Sequence, residues 1–352
     1  MKPETNNLIM TKKVLVTGGS GYIGSHTVIE LQKSGYEPLI IDNLSNSDER
    51  MLGLIARISG QKPLFERIDL CDRKGLMDFF SRHRDIAGII HFAALKAVGE
   101  SVAEPVRYYH NNITGLLYLL EAMQEHDINR LVFSSSCTVY GQPEQLPVTE
   151  DAPVQQAVSP YGNTKQIAEE IIHDSSQQSK LRAISLRYFN PIGAHESGLI
   201  GELPLGVPNN LIPYITQTAI GKRKELRVWG KDYNTPDGTC IRDYIHVSDL
   251  AQAHLIALER LMKGENEKPH EYFNLGTGEG YSVLEAIQAF EKVSGVRLNW
   301  AFSDRRPGDV EKVYADTTLA NLKLGWKAEK GLDEMMASAW KWEKNLAAGI
   351  LD

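Results

Sequence analysis

Val14-Leu-Val-Thr-Gly-Gly-Ser-Gly-Tyr-Ile-Gly24 is the stretch on which the fold turns. An apolar, β-branched run predicts a strand, and Gly18, Gly21 and Gly24 follow it where a helix opens. The first glycine permits the tight turn, the second lets backbone N–H groups approach a pyrophosphate, and the third lets helix and strand pack closely. A glycine triplet alone marks only a turn; the strand before it and the helix after it make this one a dinucleotide site. The next apolar run ends at Ile40-Ile41-Asp42, about 20 residues on, where a carboxylate can accept both hydroxyls of the adenosine ribose. Asp42 therefore predicts NAD rather than NADP. A 2′-phosphate would meet its negative charge, and Asn43-Leu44-Ser45-Asn46 supplies no arginine. Asp69, after the third run, either closes the adenine pocket or simply turns the chain.

Outward from this unit, apolar runs at Val14–Thr17, Leu39–Asp42, Leu64–Ile68, Ile89–Phe92, Leu131–Ser134 and Ala183–Leu186 alternate with helical stretches. Continuous rather than alternating apolarity suits parallel strands buried on both faces. The expected class is α/β, a Rossmann-type doubly wound parallel sheet with a smaller C-terminal α/β lobe. The NAD-binding domain is placed at 12–190, with segments around 231–260 returning to it, and a second, ligand-binding lobe is placed mainly at 191–347. Between them, Pro191 to Asn210 is rich in Gly, Pro and Asn and reads as loop. Helices are expected at Val247–Met262 and Leu332–Leu346, with short strands at Leu226–Trp229 and Tyr272–Leu275. The stretch Gly115 to Met123 is apolar nearly all round, so a second surface besides the sheet must cover it, either the other lobe or a second subunit.

Composition narrows the partners. In 352 residues, 42% hydrophobic and 24% charged, a large core is available, while a net charge of −7 argues against nucleic acid. Cys71, Cys137 and Cys240 have no C-x-x-C spacing and read as free thiols. MKPETNNLIM carries no apolar signal region, and no run of about 18 apolar residues suggests a membrane span. A cytoplasmic setting is expected.

Ser159-Pro160 resembles a helix start, with serine as N-cap and proline at the first helical position. Tyr161 and Lys165 are four apart and share one helical face. A tyrosine with a reference pKa near 10 is a poor base at neutral pH, but an adjacent ammonium and a positive nicotinamide favour its phenolate. Upstream, Leu131-Val-Phe-Ser134 runs into Ser135-Ser136-Cys137-Thr138 at the carboxyl end of a central strand, where open α/β sheets bind ligands. Ser136 or Thr138 can share a substrate hydroxyl with Tyr161, or merely satisfy turn backbone.

The glycine pattern, the serine cluster and Tyr-x-x-x-Lys together resemble the extended short-chain dehydrogenase/reductases. Longer strings resemble the UDP-glucose 4-epimerases within that family: His91 to Ser101, Leu186 to Pro191, Pro208 to Leu211, Asp237 to His246 and Arg305 to Asp309. The resemblance runs from Lys13 to about Trp342. It implies NAD contacts from Tyr22, Ile23, Asp42, Asn43, Ser47, Asp69, Leu70, Phe92, Lys96, Asn111, Ser136, Tyr161, Lys165 and Phe189. It implies contacts to a UDP-hexose from Lys96, Ser136, Tyr161, Asn190, Asn210, Leu211, Arg242, Arg306 and Asp309, and it implies a homodimer. Arg242 and Arg306 suit two phosphates, though either arginine viewed alone is more often a solvated surface charge. His91 and His246 read as structural.

The chemistry so implied is inversion at C4 of a UDP-hexose through a 4-ketose, with Tyr161 as base and NAD retained. A nucleotide-sugar 4,6-dehydratase is the neighbouring chemistry, but that family carries Asp-Glu where Cys137 and Thr138 stand here. A non-catalytic NAD sensor is the alternative of another class, because a fold does not by itself establish chemistry. At Val313 the bacterial glucose/galactose enzymes commonly carry tyrosine. The smaller side chain predicts room for UDP-N-acetylglucosamine and UDP-N-acetylgalactosamine, even as the preferred pair, unless the register shifts by one and Tyr314 points inward.

Overall fold

The computed structural model describes residues 12–306 and 309–351. The amino-terminal stretch discussed above, and Pro307 and Gly308 of the Arg305–Asp309 string, lie outside the described residues. In chain order the first lobe runs β1 (Lys13–Thr17), α1 (Tyr22–Lys33), β2 (Glu37–Asp42), α2 (Arg50–Ser59), β3 (Leu64–Arg67), α3 (Arg73–Arg82) and β4 (Ile86–His91). It continues through the short helices α4 (Val98–Ala103) and α5 (Pro105–Tyr109), a π turn at His110–Thr114, α6 (Gly115–Glu125), β5 (Arg130–Ser136), α7 (Pro160–Gln177) and β6 (Arg182–Tyr188). Then follow β7 (Asn190–Ile192), α8 (Leu211–Ala219), β8 (Leu226–Trp229), β9 (Ile241–Arg242), β10 (Tyr244–His246), α9 (Val247–Lys263) and β11 (His270–Leu275). The chain closes with β12 (Tyr281–Ser282), α10 (Val283–Ser294), β13 (Trp300–Ser303), β14 (Lys312–Val313) and α11 (Leu332–Ala347).

The main sheet has seven strands in the order β11-β6-β5-β4-β1-β2-β3, all parallel. Helices cover both faces, as the continuous apolar runs require. Side chains of α1, α2 and α9 form one core with the sheet, and those of α3, α6 and α7 form the other. The order reverses between β1 and β4, where the crossovers run to opposite sides and leave a crevice at the carboxyl ends. Thr17 pairs in register with His91 there, and the Thr17 hydroxyl lies 2.7 Å from His91 Nδ1. The second lobe packs α8, α10 and α11 around the small pairings β8–β13, β7–β10 and β12-β9-β14.

The return of the chain to the first lobe extends beyond 260. Both α9 and the strand expected at Tyr272–Leu275 join the large sheet, β11 pairing with β6 along its whole length. The reason is visible in composition: His270, Phe273 and Leu275 are buried as in the central strands. A strand separated from its partner by a second-lobe excursion carries no local mark of which sheet it joins. Of α6, Leu116, Leu119, Ala122 and Met123 are buried against the sheet, whereas Leu117 stays 41% exposed.

Candidate active site

The glycine turn behaves as its sequence demands. Gly18 has φ +69°, and a Cβ there would sit 2.8 Å from Ala93 N. A Cβ on Gly24 would collide with the Gly18 carbonyl, so only glycine lets α1 begin this close to β1. The N-cap of α1 is Gly21 and no side chain caps it, which leaves first-turn amides available to an anion. Asp42 ends β2 beside this turn. Its carboxylate accepts from Ser20 N and Oγ (3.2 and 2.9 Å), Leu44 N (2.9 Å) and Ser47 Oγ (3.0 Å). Asp69 turns the chain, accepting from Cys71 N at 2.8 Å, and also accepts from Asn43 Nδ2 at 3.0 Å while lining the same cavity.

That cavity, of about 640 Å³, receives every residue expected to touch the cofactor. Gly18, Gly21, Tyr22, Ile23, Gly24, Asp42, Asn43, Ser47, Asp69 and Leu70 line one end; Phe92, Lys96, Asn111, Ser136, Tyr161, Lys165 and Phe189 line the rest. Asn111 sits in the π turn, an irregularity that helices commonly carry at functional sites. Thr138, Asn190 and Asn210 share the cavity, so the sugar-nucleotide candidates begin where the cofactor candidates end. A bare glycine turn, an uncapped helix start and an acidic strand end fit a dinucleotide with its ribose at Asp42.

The catalytic helix is set as its first residues predict. Ser159 Oγ accepts from Gly162 N at 3.1 Å with Pro160 at the first position. One turn beyond Lys165, Glu169 is ion-paired to Arg187 of β6 (2.6 Å) and accepts from Ser135 Oγ of β5 (2.6 Å), all three buried. This network fixes α7 against the two strands that end at the site. Burial pushes the Tyr161 phenol well above its usual range, with the nearby Tyr188 adding to the shift and the Ser136 hydroxyl opposing it. Burial lowers Lys165 to about 8, Glu169 partly opposing. Lys165 Nζ donates to Ser134 O at 2.5 Å and stands 5.9 Å from the Tyr161 ring centre, near enough for its charge to favour the phenolate without a direct hydrogen bond. The same ammonium lies 4.7 Å from the centre of the Phe133 ring.

Ser136 Oγ accepts from Thr138 N at 3.2 Å, the bland role considered for it, yet it also faces the phenol. Thr138 Oγ1 is buried with no hydrogen-bond partner among the described residues. His91 and His246 are structural: both are buried and lowered to about 3, chiefly by burial, and His246 Nδ1 accepts from Ser248 N at the start of α9.

Five substrate candidates lie off the cavity lining. Leu211 follows Asn210 as the first residue of α8. Arg306 pairs with Asp309 at 2.7 Å, and Arg242 lies 3.8 Å from the same carboxylate. The charge of Arg242 also reaches Cys137, opposing the burial that raises that thiol to about 12, so this charged cluster adjoins the serine strand. Val313 is buried among Val139, Tyr140 and Phe189, whereas Tyr314 lies against Gly280. Of the two registers considered, the backbone adopts the one with Val313 on the side of Phe189.

Three residues escaped sequence reading. Asp243, fully buried beside Arg242, accepts from Thr277 N, Thr277 Oγ1, Gly278 N and Ala315 N at 2.8 to 3.1 Å and ties the β9–β10 junction to the loop after β11 and to the chain just beyond β14. The Tyr188 hydroxyl lies 2.5 Å from Ser134 Oγ, beneath the Lys165 anchor. Glu202 bonds both Lys96 and Asn210 within the cavity. An acid adjoining an arginine is a usable signal for Asp243; the Gly-Pro-rich loop around Glu202 offers none.

A parallel sheet with an anion-ready helix start at its switch point, and a buried Tyr-x-x-x-Lys helix beside a serine strand end, defines a dinucleotide-dependent redox enzyme of the short-chain kind. Residues 14–276 match the model of the NAD dependent epimerase/dehydratase family. A UDP-glucose 4-epimerase of Bacillus subtilis is 51% identical over 337 residues, covering 96% of this chain and 98% of that protein. Among solved structures, a UDP-glucose-4-epimerase from Stenotrophomonas maltophila with bound NAD and formylated UDP-arabinopyranose matches with TM-score 0.92 at 47% identity, covering 96% of this chain and 99% of that one. A Bifidobacterium longum UDP-glucose 4-epimerase in complex with NAD+ and UDP matches with TM-score 0.92 at 45% identity and the same coverage. The chain belongs to the NAD dependent epimerase/dehydratase family.

Proposed function

We propose that this chain is an NAD-dependent UDP-hexose 4-epimerase that interconverts UDP-glucose and UDP-galactose through a 4-keto intermediate. One observation carries the reading: Tyr161 and Ser136 occupy the same cavity as the glycine turn and as Asn190 and Asn210, so redox and sugar-nucleotide groups converge on one point. The relatives carry the same activity in their names. Neither a preference for N-acetylated sugars nor a non-catalytic sensor is favoured by these likenesses.

Residues of the α1 start and Asp42 would hold NAD, which when bound supplies a hydride acceptor and, in its oxidised form, a positive charge at the site. Tyr161 takes the proton of the C4 hydroxyl and returns it after the sugar has turned. Ser136 shares that hydroxyl and keeps it in reach of the phenol. The cluster of Arg242, Arg306 and Asp309 anchors the UDP end through charge-assisted bonds. Because the anchor lies away from the reacting carbon, the hexose can present its other face while UDP stays bound.

The test is to denature the purified protein, assay released NAD, and follow C4 inversion of both sugar pairs by NMR without added cofactor. Inversion with cofactor recovered from the protein is expected. Turnover that required added NAD and accumulated NADH would instead mark a conventional dehydrogenase, and no turnover would mark the sensor.

We further propose a homodimer. Val98, Val102, Val106 and Leu117, exposed by 44, 63, 79 and 41%, give α4, α5 and α6 an apolar outer surface that a second copy would cover. Light scattering should give twice the mass of the chain; a monomer at micromolar concentration would refute this. Among the described residues, no helix is long and apolar enough to cross a membrane.

A further inference from the structure

We propose that Glu202 is a positioning residue that ties the two halves of the site together through a single carboxylate oxygen, an inference that rests on the function proposed above. Glu202 Oε1 accepts from Lys96 Nζ at 3.0 Å and from Asn210 Nδ2 at 2.6 Å. Lys96 follows β4 of the large sheet, and Asn210 stands at the start of α8 in the second lobe. Asparagine at a helix N-cap ordinarily bonds the first-turn amides. Asn210 makes no such bond, and its side chain is turned to Glu202 instead.

The carboxylate is aimed by packing. Trp342 of α11 donates its indole N–H to the Glu202 carbonyl at 2.9 Å. Gly201 lies so tightly under the same indole that a Cβ would overlap the ring, which leaves the backbone at 201–202 no freedom to shift. The side chain is only 13% exposed, and the Lys96 ammonium it holds sits 5.9 Å from the Tyr22 ring centre at the start of α1.

A carboxylate is costly in a cavity that receives two diphosphates, because it opposes their charge. Its contribution is conformational. Lys96 and Asn210 are flexible side chains on separate lobes, and restraining both before a ligand arrives removes ordering cost from the binding step. Glu202 and Asn210 also stand at the two ends of the 203–209 loop. Leu205 and Val207 of that loop line the cavity and are 55 and 66% exposed. The clasp therefore fixes the neck of the segment at the mouth of the site as well as the lysine inside it.

The experiment compares E202A and E202Q in the NAD-containing protein. An amide oxygen at 202 can accept from both donors, so E202Q keeps the clasp while E202A removes it. For E202A, the Kd for UDP by titration calorimetry and the KM for UDP-glucose should each rise about ten-fold, with kcat within about three-fold of the parent. For E202Q, all three should stay within about three-fold of the parent. Bound NAD and melting temperature should match the parent in both variants. UDP affinity is read without turnover, so failure of the proposed function would show separately, as absence of epimerisation by the unmutated protein. Unchanged UDP affinity in E202A, equal impairment of E202Q and E202A, or a joint fall of kcat, NAD content and melting temperature in E202A would each overturn the proposal.

Discussion

The cofactor half and the sugar-nucleotide half of this site are built differently. Around Asp42 and the glycine turn, the polar groups sit on strand ends and a helix start of the central sheet, and the carboxylate is 8% exposed with four hydrogen bonds already made. Around Arg306 the groups sit on loops, the arginine side chain is 53% exposed, and the charges pair with one another. Arg306 and Arg242 both look to Asp309, as Lys96 and Asn210 both look to Glu202. The first arrangement suits a ligand that stays; the second suits one that enters and leaves by exchanging partners. An epimerase needs that division, because its cofactor must remain through a full cycle while its substrate turns over.

The largest effect is expected where the halves meet. Tyr161→Phe removes the phenol proposed to take the C4 proton while leaving the ring in its buried seat, so kcat should fall by about 10³. Bound NAD and UDP affinity should remain near the parent values. Stopped turnover with both ligands retained supports the assignment; undiminished epimerisation would remove Tyr161 from the chemistry. Burial, with Tyr188 adding to it, favours the protonated phenol. Lys165 keeps its charge 5.9 Å from the ring centre while bonded to the Ser134 carbonyl, and the positive charge that bound NAD would add favours the phenolate further.

The contrast between the halves also explains what was legible in the sequence. Gly18, Gly24 and Asp42 act through backbone geometry and strand position, both of which leave a local pattern, and Ser159-Pro160 announced the start of α7 to the residue. Five of the six strands up to Leu186 were readable because sheet burial demands continuous apolar runs, while the edge strand β3, Leu64–Arg67, is half exposed and followed from the alternation of strands and helices. Residues whose role depends on distant chain were not readable in this way. Glu202 meets a partner 106 positions away, Asp243 meets one 72 positions away, and β11 pairs with β6 across the whole second-lobe excursion. Arg242, Arg306 and Asp309 were reached only through resemblance to a family, since an arginine on a two-residue strand or in a loop carries no mark of its ligand. Helical spacing placed Lys165 on the face of Tyr161 but did not show its hydrogen bond, which goes to the Ser134 carbonyl. Four residues apart guarantees a shared face but not a contact between two side chains of unequal length.

A crossed pair of substitutions sharpens the comparison with smaller effects. Asp42→Ala deletes the acceptor for the adenosine ribose, so purified protein should carry markedly less NAD, with affinity for the cofactor lowered about ten- to a hundred-fold. Once NAD is restored by saturation, its KM for UDP-glucose should lie within about three-fold of the parent. Arg306→Ala should do the reverse, keeping its NAD while the KM for UDP-glucose and the Kd for UDP rise about ten-fold. The smaller figure for Arg306 follows from its exposure, because solvent screens the charge and the surviving Arg242 can still reach the diphosphate. Releasing Asp309 from Arg306 leaves that carboxylate to Arg242 alone, which would occupy the remaining cation and deepen the loss; Arg306→Ala combined with Asp309→Asn should then bind UDP better than Arg306→Ala by itself. If Arg306→Ala empties the cofactor site, or Asp42→Ala weakens UDP with NAD saturating, the two halves are not separable and the retained-and-exchanged division fails.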